Sequence, residues 1–319
     1  MRLPIALAAL ALLATFAPPS LERVPAPPAV TTVLYTPVTP DGQGGPQERV
    51  GRLRFLGGWV LTSNDERFGG LSAIAAGKGV LTAASDAGWA FRFPLPGAGR
   101  PHVAAAVFTI GRDGEKLEGD AESLAAGAGT LWLGYEQSNS VRRVDAASFR
   151  QLAETAPPAM SAWDENSGAE AMVRLPDGRF IVFAEGSGGD SEALLFFGDP
   201  ARGGTQALRL RYRPPAGFRI TDAALLPDGR LIFLNRRFRL FEGFSAKLTI
   251  GRLPAAVREG ELLTGEPLAD FTGGEQHENF EGVSATREGG RTILWIVSDD
   301  NYLSLQRTLL MKLALEEGG

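Results

Sequence analysis

Five residues, Ser72, Glu122, Glu170, Asp222 and Glu281, fall at the middle, within one letter, of five copies of one short phrase. The copies are FGGLSAI (68–74), GDAESLA (119–125), SGAEAMV (167–173), ITDAALL (220–226) and ENFEGVS (278–284). The marked residues are 50, 48, 52 and 59 positions apart. Carboxylates that return at one structural address and converge there repel one another unless a positive charge sits among them. A hard divalent cation is one solution, and Ca²⁺ takes about six to eight oxygens from carboxylates, amides and waters. Arginine is the other.

A second polar set follows the apolar run after each phrase: Ser85 and Asp86; Tyr135, Glu136, Gln137 and Asn139; Glu185 and Ser187; Asn235, Arg236 and Arg237; Ser298, Asp299, Asp300 and Asn301. From both sets, Glu122, Glu170, Asp222 and Asp300 are the expected metal ligands. Glu281 and Asp299 are expected to position water or act catalytically. His277, in EQHENFEG, is the candidate general acid or a further ligand. Arg67, Arg236 and Arg237 suit an anionic substrate, because guanidinium groups bind phosphate or carboxylate through paired hydrogen bonds; Tyr135 is placed with them. Plainer readings stand beside these. A residue repeated in every unit is equally suited to bracing adjacent units through backbone N–H groups, and each arginine to a surface ion pair. His102 is read as incidental. G-x-S-x-G, H-E-x-x-H and a Gly-rich phosphate loop are absent from the sequence, which disfavours a serine-triad esterase, a zincin and a P-loop enzyme.

The repeats also say what positions these groups. Each divides into about four short apolar runs bounded by Gly, Pro, Asp or Asn, such as EAMVRL, RFIVFAE, EALLFFG and TQALRLRY in the third. Such runs read as strands. PDGR (176–179 and 227–230) and GAGT (127–130) supply the positive φ that tight turns need. Four strands at this period describe a β-propeller blade, and the self-similarity argues against a sandwich. The expected fold is therefore all-β: five four-stranded blades, with six as the alternative if residues 30–48 build another. After Glu281 too few strands remain to complete the last blade, so RVGRLRFLGGWVLT (49–62) is expected to close the ring from the N-terminal side and leave no free edge there. In an antiparallel blade the start of the innermost strand lies beside the end of the second. Both polar sets therefore emerge at one mouth of the central channel, while the opposite mouth receives bland turns.

At 319 residues, 44% of them apolar, the chain can bury a core as one closed unit, read here as residues 49–319. A net charge of −5 argues against general nucleic-acid binding. Residues 1–20, MRLPIALAALALLATFAPPS, have the pattern of a secretory signal peptide, with cleavage anywhere up to about residue 29. The apolar run is short for a membrane span. The expected location is periplasmic or secreted, without membrane insertion after cleavage, and the expected state a monomer. Residues 21–48 read as a Pro- and Gly-rich linker. With no Cys there is no disulfide, thiolate metal site or Cys nucleophile.

RFGGLSAI (67–74), Asp120 to Glu122, ENFEGVS and SDDNYLSLQRTLLMKLAL (298–315) resemble the "esterase-like activity of phytase" family, phytase-like exported propellers, over roughly residues 49–315. The resemblance implies a propeller, export, and hydrolysis of phosphoric or other esters. It transfers no catalytic residue by itself. The expected function is a metal-dependent hydrolase of a small anionic ester. The alternatives are a lactonase of the regucalcin kind, whose site would be a Glu/Asn/Asp cluster without the arginines, and a non-enzymatic propeller that binds a ligand or protein.

Overall fold

The computed structural model describes residues 31–38, 49–97, 102–105, 107–109, 120–164, 167–186, 188–272 and 278–316. These contain twenty-four strands and one 3-10 turn, Pro158–Met160. Three strands precede the first repeat phrase: β1 (Thr32–Val38), β2 (Arg49–Val50) and β3 (Leu53–Ser63). Blade 1 comprises β4 (Leu71–Gly77), β5 (Val80–Ser85), β6 (Ala90–Pro94) and β8 (Val107–Thr109), with β7 (His102–Ala105) diverted elsewhere. Blade 2 is β9 (Ala121–Gly127), β10 (Thr130–Tyr135), β11 (Ser140–Asp145) and β12 (Gln151–Thr155). Blade 3 is β13 (Ala169–Arg174), β14 (Phe180–Ala184), β15 (Ser191–Phe196) and β16 (Ala207–Arg213). Blade 4 is β17 (Arg219–Leu225), β18 (Leu231–Arg239), β19 (Gly243–Gly251) and β21 (Glu266–Phe271); the short β20 (Leu262–Thr264) pairs in parallel with β16 of blade 3. Blade 5 is β22 (Asn279–Glu288), β23 (Arg291–Asp299) and β24 (Thr308–Leu315), completed by β3.

The ring thus has five blades and closes as the strand count predicts, with Leu309 opposite Val60 and Leu315 opposite Leu53. No sixth blade forms among the described residues. Part of the expected linker is instead a strand: β1 adds outside β3, with Tyr35 opposite Leu61, and β7 adds outside β1, with Tyr35 opposite His102. Tyr35 explains the difference. Its ring is buried among Trp59, Phe91 and Phe93, and its hydroxyl donates to the Pro94 carbonyl at 2.5 Å, so this segment docks into the seam. The predicted signal peptide lies outside the described residues, and no described helix is long and apolar enough to cross a membrane.

Apolar side chains alternate off each strand and fill five cores, one between each pair of neighbouring blades. Leu124, Leu133 and Phe149 join blades 1 and 2, and Trp132, Met172 and Phe180 join 2 and 3. Phe183, Tyr212 and Phe233 join 3 and 4, and Leu234, Phe271 and Phe280 join 4 and 5. The seam between blades 5 and 1 is the most aromatic, with Trp59 and Trp295 stacked at 6.3 Å beside Phe68, Trp89 and Phe91. Each such side chain contributes roughly 1.5–3 kcal/mol on burial, so the junction of the two chain ends is anchored more heavily than the others. One end of the central channel is lined by small apolar residues from all five inner strands, including Ala75, Ala125, Val173, Ala224 and Val283. The charge lies at the other end.

Candidate functional site

Each inner strand carries a β-bulge at one and the same level. Leu71 faces Ser85 and Ala73 faces Ala84, leaving Ser72 as the extra residue. The same skip leaves Glu122, Glu170, Thr221 and Glu281 unpaired in blades 2 to 5. A bulge bends its strand and re-aims a side chain. Here it places the bulged residue at the channel mouth. The structure corrects one alignment made from sequence: in blade 4 the equivalent residue is Thr221, and Asp222 is one position further on.

The bulge positions divide by chemistry. In blades 1 and 4 a hydroxyl braces the next blade: Ser72 Oγ donates to the Ala121 carbonyl at 2.5 Å and Thr221 Oγ1 to the Phe280 carbonyl at 3.4 Å. Blades 2, 3 and 5 put Glu122, Glu170 and Glu281 there instead. A second tier lies two residues beyond the common level of each second strand. Counting from Ala84, Gly134, Phe183, Leu234 and Val297, it comprises Asp86, Glu136, Glu185, Arg236 and Asp299. Four blades supply a carboxylate and blade 4 an arginine. Glycine makes room for two of them. A Cβ at Gly70, whose φ is +59°, would sit 2.2 Å from Asp86 Oδ1. One at Gly168 would sit 2.4 Å from Glu136 Cα in the adjoining blade.

Arg236 stands among these acids. Its Nη1 donates to Glu281 Oε1 and, at 2.5 Å, to Asn279 Oδ1. Asn279 Nδ2 in turn donates to Glu281 Oε1 at 2.9 Å and to Asp299 Oδ2 at 3.1 Å, tying the two tiers together. Asp120, Glu122 and Glu136, all half-buried, bring one oxygen each within 4.8 Å of one another, a set that can bind a metal. Burial, then the charges of Glu170, Asp120 and Glu281, hold the Glu122 carboxyl well above its usual range. Burial and then Glu185 and Glu136 do the same to Glu170. Burial raises Glu281 too, although Arg236 opposes it. Asp299 is raised by burial, Glu281 and Asp86. Asp86 is pushed up to about 7 by burial and by Glu281 and Asp120, and Glu136 to about 7 by burial and by Asp120, Glu185 and Glu281. Burial works against the Arg236 charge, but Glu281, Glu170, Glu185 and Glu122 outweigh it. The single guanidinium does not neutralise the acids around it. An additional cation would relieve the remaining repulsion.

Of the residues predicted from sequence, Glu122, Glu170, Glu281, Asp299 and Arg236 meet here. Arg237 borders the adjoining cavity, its guanidinium 4.7 Å over Phe218. Four others have structural partners. Arg67 is buried in a paired contact with Asp65, at 2.8 and 2.6 Å, so the structure assigns its fork to the protein and not to a substrate. Tyr135 is buried beneath Arg142, which donates to its hydroxyl at 3.3 Å. Asp300 accepts from the Gly70 N–H at 2.9 Å, the Tyr302 N–H at 3.1 Å and Thr308 Oγ1 at 2.9 Å, latching blade 5 to blade 1. Asp222 accepts from the Val283 N–H at 2.7 Å and the Ala223 N–H at 2.8 Å. Burial raises its carboxyl, and these two bonds oppose that. His277 lies outside the described residues.

Asp222 is therefore a brace between blades 4 and 5. Asp222→Ala strands two buried N–H groups at roughly 1–3 kcal/mol each, so urea unfolding should show a loss of about 3 kcal/mol with any metal response intact. A lost metal response with little change in stability would instead make Asp222 a ligand.

Asp86, Asp120, Glu136, Glu185 and Asn279 complete the site, although sequence reasoning did not single them out from the other polar residues at the mouth. The signal that marks the three second-tier members among them, Asp86, Glu136 and Glu185, is their fixed offset from the bulge. Above the acids opens a cavity of about 530 Å³ lined by Glu185, Arg219, Arg236, Arg237, Phe238, Phe244, Asn279 and Asn301 among others.

Residues 66–302 match the phytase-like family model, described as esterase-like activity of phytase. No curated protein sequence matches the chain. Among solved structures, the endo-arabinase of Bacteroides thetaiotaomicron is similar at 12% identity, covering 80% of this chain and 96% of that one with a TM-score of 0.49. An α-L-arabinanase of Cellvibrio cellulosa complexed with arabinohexaose is similar at 14% identity, 77% and 91% coverage and a TM-score of 0.45. The glutaminyl cyclase of Myxococcus xanthus is similar at 9% identity, 84% and 97% coverage and a TM-score of 0.45.

Proposed function

Since the chain belongs to the phytase-like family, we propose that it is an exported, divalent-metal-dependent hydrolase of small anionic esters, working at the acidic mouth of the propeller. The observation that carries this reading is the two-tier ring: three bulge glutamates beneath four further carboxylates and Arg236, opening into an arginine-walled cavity.

The donor set fits a hard cation, because it consists of carboxylate oxygens close enough to share one ion. Asp120, Glu122 and Glu136 would hold it, and Ca²⁺ is the ion this chemistry favours. Once bound, the ion would lower the pKa of a coordinated water and offset charge on the ester oxygens. The chain's own groups do the rest. Arg236 and Arg237, with Arg219 at the rim beside Glu185, would orient the anionic group. Asn279 fixes Glu281 and Asp299 relative to Arg236, so the carboxylates that would order a water are themselves held by hydrogen bonds. The arginine wall favours this reading over a lactonase, whose site would lack it.

Hydrolysis of p-nitrophenyl phosphate, phytate and p-nitrophenyl acetate, assayed with Ca²⁺ and with chelator, tests the reading. Metal-dependent turnover of at least one ester is expected, with Glu136→Gln lowering kcat/KM by about 100-fold or more, the scale of losing one charged group that acts in the transition state. A folded protein that turns over none of them with any divalent ion would be a binding propeller instead.

A further inference from the structure

Blade 4 differs from its neighbours in one respect. The second strands of blades 1 to 3 end one residue past the common level, at Ser85, Tyr135 and Ala184. In blade 4 the ladder between β18 and β19 continues from Asn235 opposite Lys247 to Arg239 opposite Gly243. The added residues stand about 3.3 Å apart along the strand, so the hairpin rises about 13 Å beyond the level at which the second strands of blades 1 to 3 stop. Phe238 and Phe244 face one another across it, their rings 4.9 Å apart, and both line the cavity above the acidic ring. Phe238 is 37% exposed at this rim. Alternation along β18 puts Phe238 on the same face as Arg236, about 7 Å further from the ring. The Arg236 guanidinium lies 5.8 Å over the Phe244 ring, so the anion anchor and the aromatic pair are in contact.

This juxtaposition has a chemical reading that rests on the hydrolase assignment above. We infer that the substrate is an anionic ester whose alcohol portion carries a flat apolar group, with Phe238 and Phe244 forming the shelf that receives it. A polyol ester would place hydroxyls against these rings and leave the shelf wet. An aryl or arylalkyl group instead covers both faces while its phosphate or carboxylate stays at Arg236. Aromatic pairs prefer offset or edge-on contacts at about 4.5–7 Å between centroids, and a ligand ring resting against the tilted pair meets that preference. Phe238 is a specificity-determining residue in this scheme. Phe244 also supports Arg236, and so is the poorer test.

The test compares 2-naphthylmethyl phosphate with methyl phosphate. Both release simple alkoxides, so the difference in kcat/KM reports binding of the ring and not leaving-group chemistry. Phe238→Ala should lower the naphthylmethyl-to-methyl ratio by about tenfold, the size of one aromatic contact with its buried area. Phe238→Trp should restore the ratio. Calorimetry with the matching phosphonates, naphthylmethylphosphonate and methylphosphonate, reads the same preference without turnover. If the phosphonates discriminate through Phe238 but neither ester is hydrolysed, the shelf stands and the hydrolase reading falls. If esters are hydrolysed and the ratio ignores Phe238, or if phytate or glycerol phosphate is the better substrate, the shelf is overturned alone. If no phosphonate binds and no ester is turned over, both fall.

Discussion

At pH 8, millimolar Ca²⁺ should raise the melting temperature of the chelator-treated protein by about 5–10 °C, and at pH 5 by less than half of that. The first figure follows from linkage: an ion present at about 100 times its Kd stabilises by about 2.7 kcal/mol, and a domain of this size shifts by about 2–4 °C per kcal/mol. The pH dependence follows from the acids. Asp86 and Glu136 are raised to about 7, and Glu122, Glu170, Glu281 and Asp299 are raised as well. In the unfolded chain such groups titrate near 4. Between roughly pH 4 and 7 the folded protein therefore holds protons that the unfolded chain has released. Stability is then highest below the unfolded values and falls as pH rises through the folded ones. Metal-free protein should melt lower at pH 8 than at pH 5, and calcium should close the gap, because protons and metal answer the same repulsion. Differential scanning fluorimetry across pH 5–8, with and without chelator, measures both. A melting temperature that is indifferent to metal, or that rises with pH in chelator, would remove the case for a cation at Asp120, Glu122 and Glu136.

The fold was legible because the repeat phrase states it five times. The same phrase also shows where legibility stopped. Glu122, Glu170 and Glu281 stand out as carboxylates, but nothing in the letters marks a bulge. In ITDAALL the acid next to Thr221 drew the alignment one position too far, onto a residue whose carboxyl is taken by the Val283 and Ala223 N–H groups. Arg67 and Asp300 lie apart from the acidic ring for a different reason. A guanidinium that grips Asp65 in the interior and one that faces a cavity look identical in sequence, because pairing depends on the three-dimensional neighbour. Asp86, Glu136 and Glu185 were visible as polar residues after the second strands. Only the shared register of five ladders shows that they lie at one level with Arg236 and Asp299. Thr32–Val38 reads as linker because its Thr and Pro content hides an alternation that packs only against another blade's edge.

Arg236→Gln should have the largest effect of any single change at the site, and its two consequences should separate. Arg236 is the one cation of the second tier, hydrogen-bonded to Glu281 and Asn279 and held up by the charges of four glutamates. Removing it leaves buried carboxylates without a counter-charge, a change that costs about 3–5 kcal/mol where one partner of a buried pair is lost. In chelator at pH 8 the variant should melt on the order of 10 °C below the parent. Calcium should recover more of that loss than it adds to the parent, since a divalent ion replaces the missing charge. Hydrolysis should not recover with it. The metal cannot supply the guanidinium fork that orients the anionic group, so kcat/KM should stay about 100-fold down or more at saturating calcium. Arg236→Lys sharpens the distinction, because it returns the charge without the fork and should restore stability but not turnover. If Arg236→Gln melts within about 1 °C of the parent in chelator, the interaction is worth no more than an exposed ion pair, and the crowded acids must be relieved by their own protonation alone.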